Sequence, residues 1–222
     1  MIKTDIKIKL KLIILMLFCS QSLFTQSAEW KEAKNKNGII VFTRELKGSD
    51  VEEYLGKVEL EASLSQIVSL LTDPRACDYI YHSCLEMAAL SGSTQKSIIY
   101  IRNGAPWPVA SRDVVTERTL NQNPKSKVVT LRFQKTDAVM KASPAGVVRM
   151  ESLVSNWRII PVSPGKVMIE YQAHFEPGGS VPKSILNLVI TNTPFNSLAN
   201  IKKAVGEGKF KDTKLEWISE LE

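Results

Sequence analysis

The chain has 222 residues, 44% of them hydrophobic, with 29 Lys+Arg against 23 Asp+Glu and a formal net charge of +6. That length suits one domain with a sizeable core, and no internal repeat or Pro/Ser-rich linker divides it. Without the four lysines and the one aspartate of residues 1–28, 25 basic and 22 acidic residues remain, net +3, and the electrostatic case for a nucleic-acid partner goes with them.

Those first 28 residues are a different kind of segment. Lys3, Lys7, Lys9 and Lys11 precede an apolar run over 12–18, and small residues follow at 25–28. Basic, apolar, then small is the pattern of a secretory signal peptide, with cleavage after Ser27 or Ala28. A membrane anchor needs about 20 apolar residues, and Cys19-Ser20-Gln21-Ser22 interrupts before that. Bulky Phe18 argues against a lipoprotein cysteine at Cys19. The expectation is an exported protein, periplasmic or secreted, with its domain at 29–205 and a charged tail at 206–222.

Residues 30–35 make a short amphipathic start. Residues 39–46 and 51–61 read as strands around the turn signal Gly48-Ser49-Asp50. In the second, Tyr54, Val58 and Leu60 take one face and Glu53, Lys57 and Glu59 the other. Ser63 is placed to cap a helix carrying Leu64, Ile67, Val68 and Leu71 at helical spacing, and Asp73-Pro74 ends it. Cys77 and Cys84 remain once the signal is removed. On one continuous helix they would stand about 10.5 Å apart, too far to bond. A disulfide therefore requires the helix to end between them; otherwise they are reduced, buried small hydrophobes.

From Cys84 the pattern turns to strands: 85–90, 96–102, 114–120, 128–133, 147–160 and 167–175, with turns at 121–124 and 163–165. Pro182 at a first helical turn opens the longest helix, to about Val205, and Pro194 interrupts its hydrogen-bond ladder. Strands, a helix, many hairpin-connected strands and a long helix make an α+β pattern. Leu215, Trp217, Ile218 and Leu221 give the tail a weak amphipathic character.

Two segments carry the most information. Gly104-Ala105-Pro106-Trp107-Pro108-Val109-Ala110-Ser111-Arg112-Asp113 is a stiff, aromatic-centred loop running into a strand. Arg112 and Asp113, adjacent opposite charges at the strand entrance, can tie the loop to neighbouring backbone while pointing to opposite faces. Gly178-Gly179-Ser180-Val181-Pro182-Lys183 is a glycine turn leading into the long helix. Together, in this order, the two segments resemble the START domain, a lipid-transfer family, and 157–161 with 166–171 resemble the strand pair before its last helix. The resemblance covers roughly residues 30–205. It implies a helix-grip fold, in which a curved antiparallel sheet wraps a long C-terminal helix around an apolar tunnel. It also implies that an arginine five residues after the motif aspartate, here Arg118, points into that tunnel. The strand alone leaves this open, because Val114 and Val115 lie on opposite faces.

Signatures of catalysis are absent from the sequence. His82 and His174 are far apart with no zinc-ligand spacing, there is no Gly-x-Ser-x-Gly elbow, and Gly206-Glu207-Gly208-Lys209 lacks phosphate-loop spacing. No metal or cofactor is expected. The sheet carboxylates Glu117, Glu151 and Glu170 share faces with other polar residues and read as a solvated surface. The expected ligand-binding residues are Arg118, Tyr100, Leu131, Phe133 and Met150 from the sheet, with Leu186, Val189, Ile190 and Leu198 from the helix. Pro194 is the expected hinge of a gate, against the alternative of a static kink; Trp157 lines or caps the core. The function expected is binding or transfer of a lipid or other hydrophobic small molecule, with transient membrane-surface contact. Two alternatives stand: a cavity enzyme of cyclase or aromatase type using Tyr100, Arg118 and Glu117, or a ligand sensor whose tail holds a partner.

Overall fold

The structure, a computed structural model, describes residues 28–222; the expected signal segment, apart from Ala28, lies outside the described residues. Ten strands form one curved sheet in the order β1-β2-β3-β10-β9-β7-β6-β5-β4, with β8 set against β6. The strands are β1 (Lys31–Lys36), β2 (Ile39–Arg44), β3 (Glu53–Glu61), β4 (Cys84–Gly92), β5 (Lys96–Asn103), β6 (Arg112–Gln122), β7 (Val129–Lys135), β8 (Val148–Arg149), β9 (Ser152–Ser163) and β10 (Lys166–Glu176). All pairings are antiparallel except the short β6–β8 pair. Among the described residues three helices, α1 (Leu64–Thr72), α2 (Ala76–Tyr79) and the 24-residue α3 (Lys183–Gly206), accompany the sheet. The helix-grip arrangement expected from the sequence is present, with α3 against the curved sheet.

Local chemistry explains most boundaries. Ser63 caps α1 by accepting the Gln66 N–H at 3.0 Å, and Asp73 ends the helix before Pro74. β3 alternates as expected, with Tyr54, Gly56, Val58 and Leu60 buried. The amphipathic start at 30–35 is strand β1. The stretch 147–160 is two strands, not one: Met150 donates its N–H to the carbonyl of Asp113 on β6, and Glu151 donates to Glu176 on β10. The backbone changes partner there, so the ladder cannot run through.

Cross-strand register sorts the side chains into two layers. Val58 faces Ile169 across β3–β10, Tyr171 faces Trp157 across β10–β9, and Trp157 faces Leu131 across β9–β7. Phe133 then faces Arg118 on β6, and Thr116 and Val114 face Ile99 and Ile101 on β5. These positions form the concave layer under α3. The opposite layer carries Tyr100, Asp113, Val115 and Glu117.

The tail is not a separate appendage. Ile218 is buried, and Leu215 and Trp217 pack on the core. Glu220 accepts hydrogen bonds from the N–H groups of Leu64 and Ser65 at 2.8 and 2.9 Å, satisfying two donors that the first turn of α1 leaves without helical partners.

α3 comes close to the sheet at Gly56. A Cβ there would lie 2.8 Å from Leu198 Cδ1 and 3.0 Å from Pro194 Cβ. Pro194 is part of a ring and cannot turn aside, so Gly56→Ala must push the helix away. We expect Gly56→Ala to destabilise the protein by about 1–3 kcal/mol, read as a lower urea midpoint at unchanged slope.

Candidate ligand cavity

Between the concave layer and the first half of α3 lies a cavity of about 230 Å³. Its floor is aromatic. Trp157 and Tyr171 stack at 3.7 Å with ring planes 10° apart, and Tyr54 meets Tyr171 edge-on at 5.2 Å. Tyr81 meets both Trp157 and Phe133 edge-on, at 5.9 and 6.4 Å. Leu153, Phe175 and Met150 extend this surface from β9, β10 and the β8–β9 break. The roof is one face of α3: Ile185, Leu186, Leu188, Val189, Asn192 and Thr193. Pro106 and Val109 of the aromatic-centred loop close one side.

The polar groups in the lining are mostly uncharged hydroxyls and amides, such as Ser83, Asn103, Ser155 and Ser197. Tyr54, Tyr81 and Tyr171 are held as neutral phenols, their pKa values raised chiefly by burial. Burial likewise lowers the His82 pKa, so the imidazole is neutral at pH 7. Arg112 also lines the cavity, and no Asp or Glu does among the described residues. The lining can envelop an apolar molecule and meet it with one cation; it offers no carboxylate for acid–base work.

Next to the start of that loop, with the Gly104 N–H donating to the carbonyl of Ser83 at 2.8 Å, lies the segment closed by the Cys77–Cys84 disulfide, whose Cα atoms lie 5.2 Å apart because α2 ends at Tyr79, between the cysteines. This segment supplies Tyr81, His82 and Ser83 to the lining. It is also tied to α3 just beyond Pro194. The His82 N–H donates to Ser197 Oγ at 3.0 Å, and the Asn200 amide donates to the carbonyl of Ile80 at 3.2 Å. Asn196 Nδ2 lies 3.2 Å from His82 Nε2.

Of the residues expected from sequence, Phe133, Met150, Leu186 and Val189 meet at the cavity. Leu131, Ile190 and Leu198 do not line it. They are buried in the solid core, Leu198 against Gly56. Tyr100 is on the other layer, because Ile99 and Ile101 take the concave face of β5. There its hydroxyl donates to Asp113 at 3.1 Å. Arg118 is on the concave face beside Phe133 but outside the cavity; its Nη2 bonds the carbonyls of Ser93 and Thr94 in the β4–β5 turn. Glu117 pairs with Lys96 on the opposite layer, so Tyr100, Arg118 and Glu117 do not assemble. The sequence reading missed Tyr54, Tyr171, Phe175 and Arg112. The alternation of β3 and β10 would have found the first three.

Arg112 and Asp113 divide as adjacent strand residues must. Arg112 donates to the carbonyls of Ala110 and, at 3.5 Å, Gly178, joining the aromatic-centred loop to the glycine turn. Gly178 sits at φ +69°, and a Cβ there would lie 2.6 Å from the carbonyl oxygen of Arg149. Asp113, fully buried, accepts from Arg149 Nε at 2.7 Å and Ser143 Oγ at 2.9 Å. Burial raises its pKa, but the hydrogen bonds from Arg149, Ser143 and Tyr100 outweigh that and leave it below the ordinary carboxylate value. A lowered pKa stabilises the folded state fully above the unfolded value near pH 4, and the contribution fades as pH falls toward the lowered one. We expect Asp113→Asn to cost about 2 kcal/mol at pH 7, limited by the partial exposure of Arg149. In urea titrations the deficit relative to wild type should shrink below about pH 4.

Comparison with known proteins agrees with this geometry. The chain matches the START domain family over residues 26–210. An uncharacterized protein of Pseudomonas aeruginosa is 31% identical over 177 residues, covering 79% of this chain and 86% of that one. A STAR-related lipid transfer protein from Xanthomonas axonopodis is 29% identical, with a TM-score of 0.72 over 80% of this chain and 98% of that one. Human StAR-related lipid transfer protein 5 shares the fold at 14% identity, TM-score 0.71, over 91% and 96% of the two chains.

Proposed function

The chain belongs to the START domain family, and we propose that it is an exported lipid-binding or lipid-transfer protein that carries an apolar ligand in the cavity under α3. The observation that carries this reading is the lining: stacked aromatics below, aliphatic side chains above, and no carboxylate among the described residues. Burying an acyl or polycyclic ligand against such a surface contributes about 25 cal/mol per Å² of apolar area removed from water. The same lining favours binding over turnover, since cyclase-type chemistry calls for an acid–base pair beside the ligand. Export is supported by the signal pattern of residues 1–28 and by the Cys77–Cys84 disulfide, which suits an oxidising compartment.

Loading requires an element to move, and α3 is built to part at Pro194. The proline has no N–H for the carbonyl of Ile190. Beyond it the helix is fixed by the bonds to residues 80 and 82 and by buried Leu198 and Ile201. Before it the helix faces the cavity, with Leu188 half exposed. Trp107, 91% exposed on the loop beside this half, supplies an aromatic anchor for transient contact with a membrane surface.

Titration of the mature protein with cis-parinaric acid and dehydroergosterol tests the assignment. Saturable uptake of at least one probe is expected, abolished by Val189→Trp, which fills the cavity. Failure of both probes to bind would overturn it. Pro194→Ala should restore the ladder, raise hydrogen-exchange protection of residues 185–193 and slow probe transfer between vesicles more than it changes affinity. Unchanged transfer in a more protected helix would remove the hinge and leave the cavity assignment standing.

A further inference from the structure

Arg112 is a buried cation with its counter-charge missing. The residue is 6% exposed, and the only acceptors its guanidinium reaches among the described residues are the carbonyls of Ala110 and Gly178. Its Nε–H is buried without an acceptor. The neighbouring carboxylate of Asp113 is on the other layer, engaged by Arg149, Ser143 and Tyr100. Burial alone acts on the Arg112 pKa, lowering it, with no opposing charge to raise it. Arg118, the other inward arginine, also has a buried Nε–H without an acceptor, but it lies outside the cavity with its Nη2 on the β4–β5 turn, so Arg112 is the one a cavity ligand can meet. Leaving a guanidinium unpaired in such a place is costly, and an anion that completes it recovers that cost.

Resting on the reading of the cavity as an apolar-ligand site, we propose that Arg112 is the headgroup site, and that the ligand is an amphiphile with one anionic oxygen head, a carboxylate or a phosphate, on an apolar tail. The tail lies on the Trp157–Tyr171 stack under Leu186 and Val189. The head meets the free Nε–H of Arg112, with Asn103 opposite it in the β5–β6 register as a further polar neighbour in the lining. His82, neutral at pH 7, adds no competing charge. Because Arg112 also joins the aromatic-centred loop to the glycine turn through its two carbonyl contacts, head binding and closure of that side of the cavity share one side chain.

The test compares cis-parinaric acid with its methyl ester on the wild-type protein, with a monoacyl phosphate and its uncharged monoacylglycerol analogue as competitors. One charge-assisted hydrogen bond in a buried site supplies a preference of about tenfold or more. We expect the acid to bind at least that much more tightly than the ester, or the monoacyl phosphate to outcompete its uncharged analogue by as much; which pair discriminates identifies the head. Arg112→Met should bring the acid-to-ester affinity ratio, measured within that variant, close to one whatever the change in overall affinity, and Arg112→Lys should restore part of the ratio, each variant first shown by its thermal melt to be folded. Should Arg112→Met fail to fold, the wild-type comparison decides alone. Equal binding of charged and uncharged partners in both pairs would overturn the proposal while leaving the lipid-carrier reading intact. Binding of none of the four would sink that reading instead.

Discussion

The cavity depends on where α3 is allowed to touch the sheet. At Gly56 the absence of a side chain lets Pro194 and Leu198 seat directly on β3. Tyr171 stands directly across from Gly56 on β10, with Trp157 next to it on β9 and Tyr54 two residues along β3, and Ile185, Leu186, Leu188, Val189, Asn192 and Thr193 of the helix face a cavity of about 230 Å³ over these rings. A single glycine beside a cluster of large rings thus gives one helix a packed half and a half over a void. The close packing normal to protein interiors holds on one side of Pro194 and is relaxed on the other.

The packed half is reinforced from outside the sheet. The disulfide-closed segment 77–84 presents Ile80 and His82 to Ser197 and Asn200 while giving Tyr81 to the cavity floor. Glu220 is bound to the first turn of α1, and Ile218 is buried with it, so this stretch of the tail packs on the domain. Among the described residues, the only side-chain hydrogen bond to the half over the void is Lys34 to Asn192 at 3.3 Å. Stability in such an arrangement is uneven along one helix, the condition under which a binding element can open without the domain unfolding.

Much of this was legible from sequence because it is local. The Ser63 cap, the alternation of β3, the end of α2 between two cysteines and the glycine turn into α3 each follow from a few neighbouring residues. The strand β6 was not legible. Val114 and Val115 are both buried because a loop over 136–147 covers its outer layer, so apolar residues on both faces erase the alternation that fixes parity. On β5 the run Ile98-Ile99-Tyr100-Ile101 is likewise apolar at consecutive positions, so its alternation does not reveal that Tyr100 lies on the outer layer. Separating cavity from core was beyond the pattern altogether: Leu131, Ile190 and Leu198 have the chemistry of Phe133, Leu186 and Val189. Leu198 differs by its contact with Gly56 on β3, and Ile190 by the face of α3 it takes between the cavity-lining Val189 and Asn192, and neither is written in residue type.

The most direct test of the account is native mass spectrometry of the mature protein purified without detergent from the cells that produce it. The account predicts a non-covalent adduct of lipid mass on the folded chain, released by organic solvent and regained after incubation with lipid vesicles. A bare chain mass before and after such incubation, from a protein that is folded and disulfide-bonded, would contradict it.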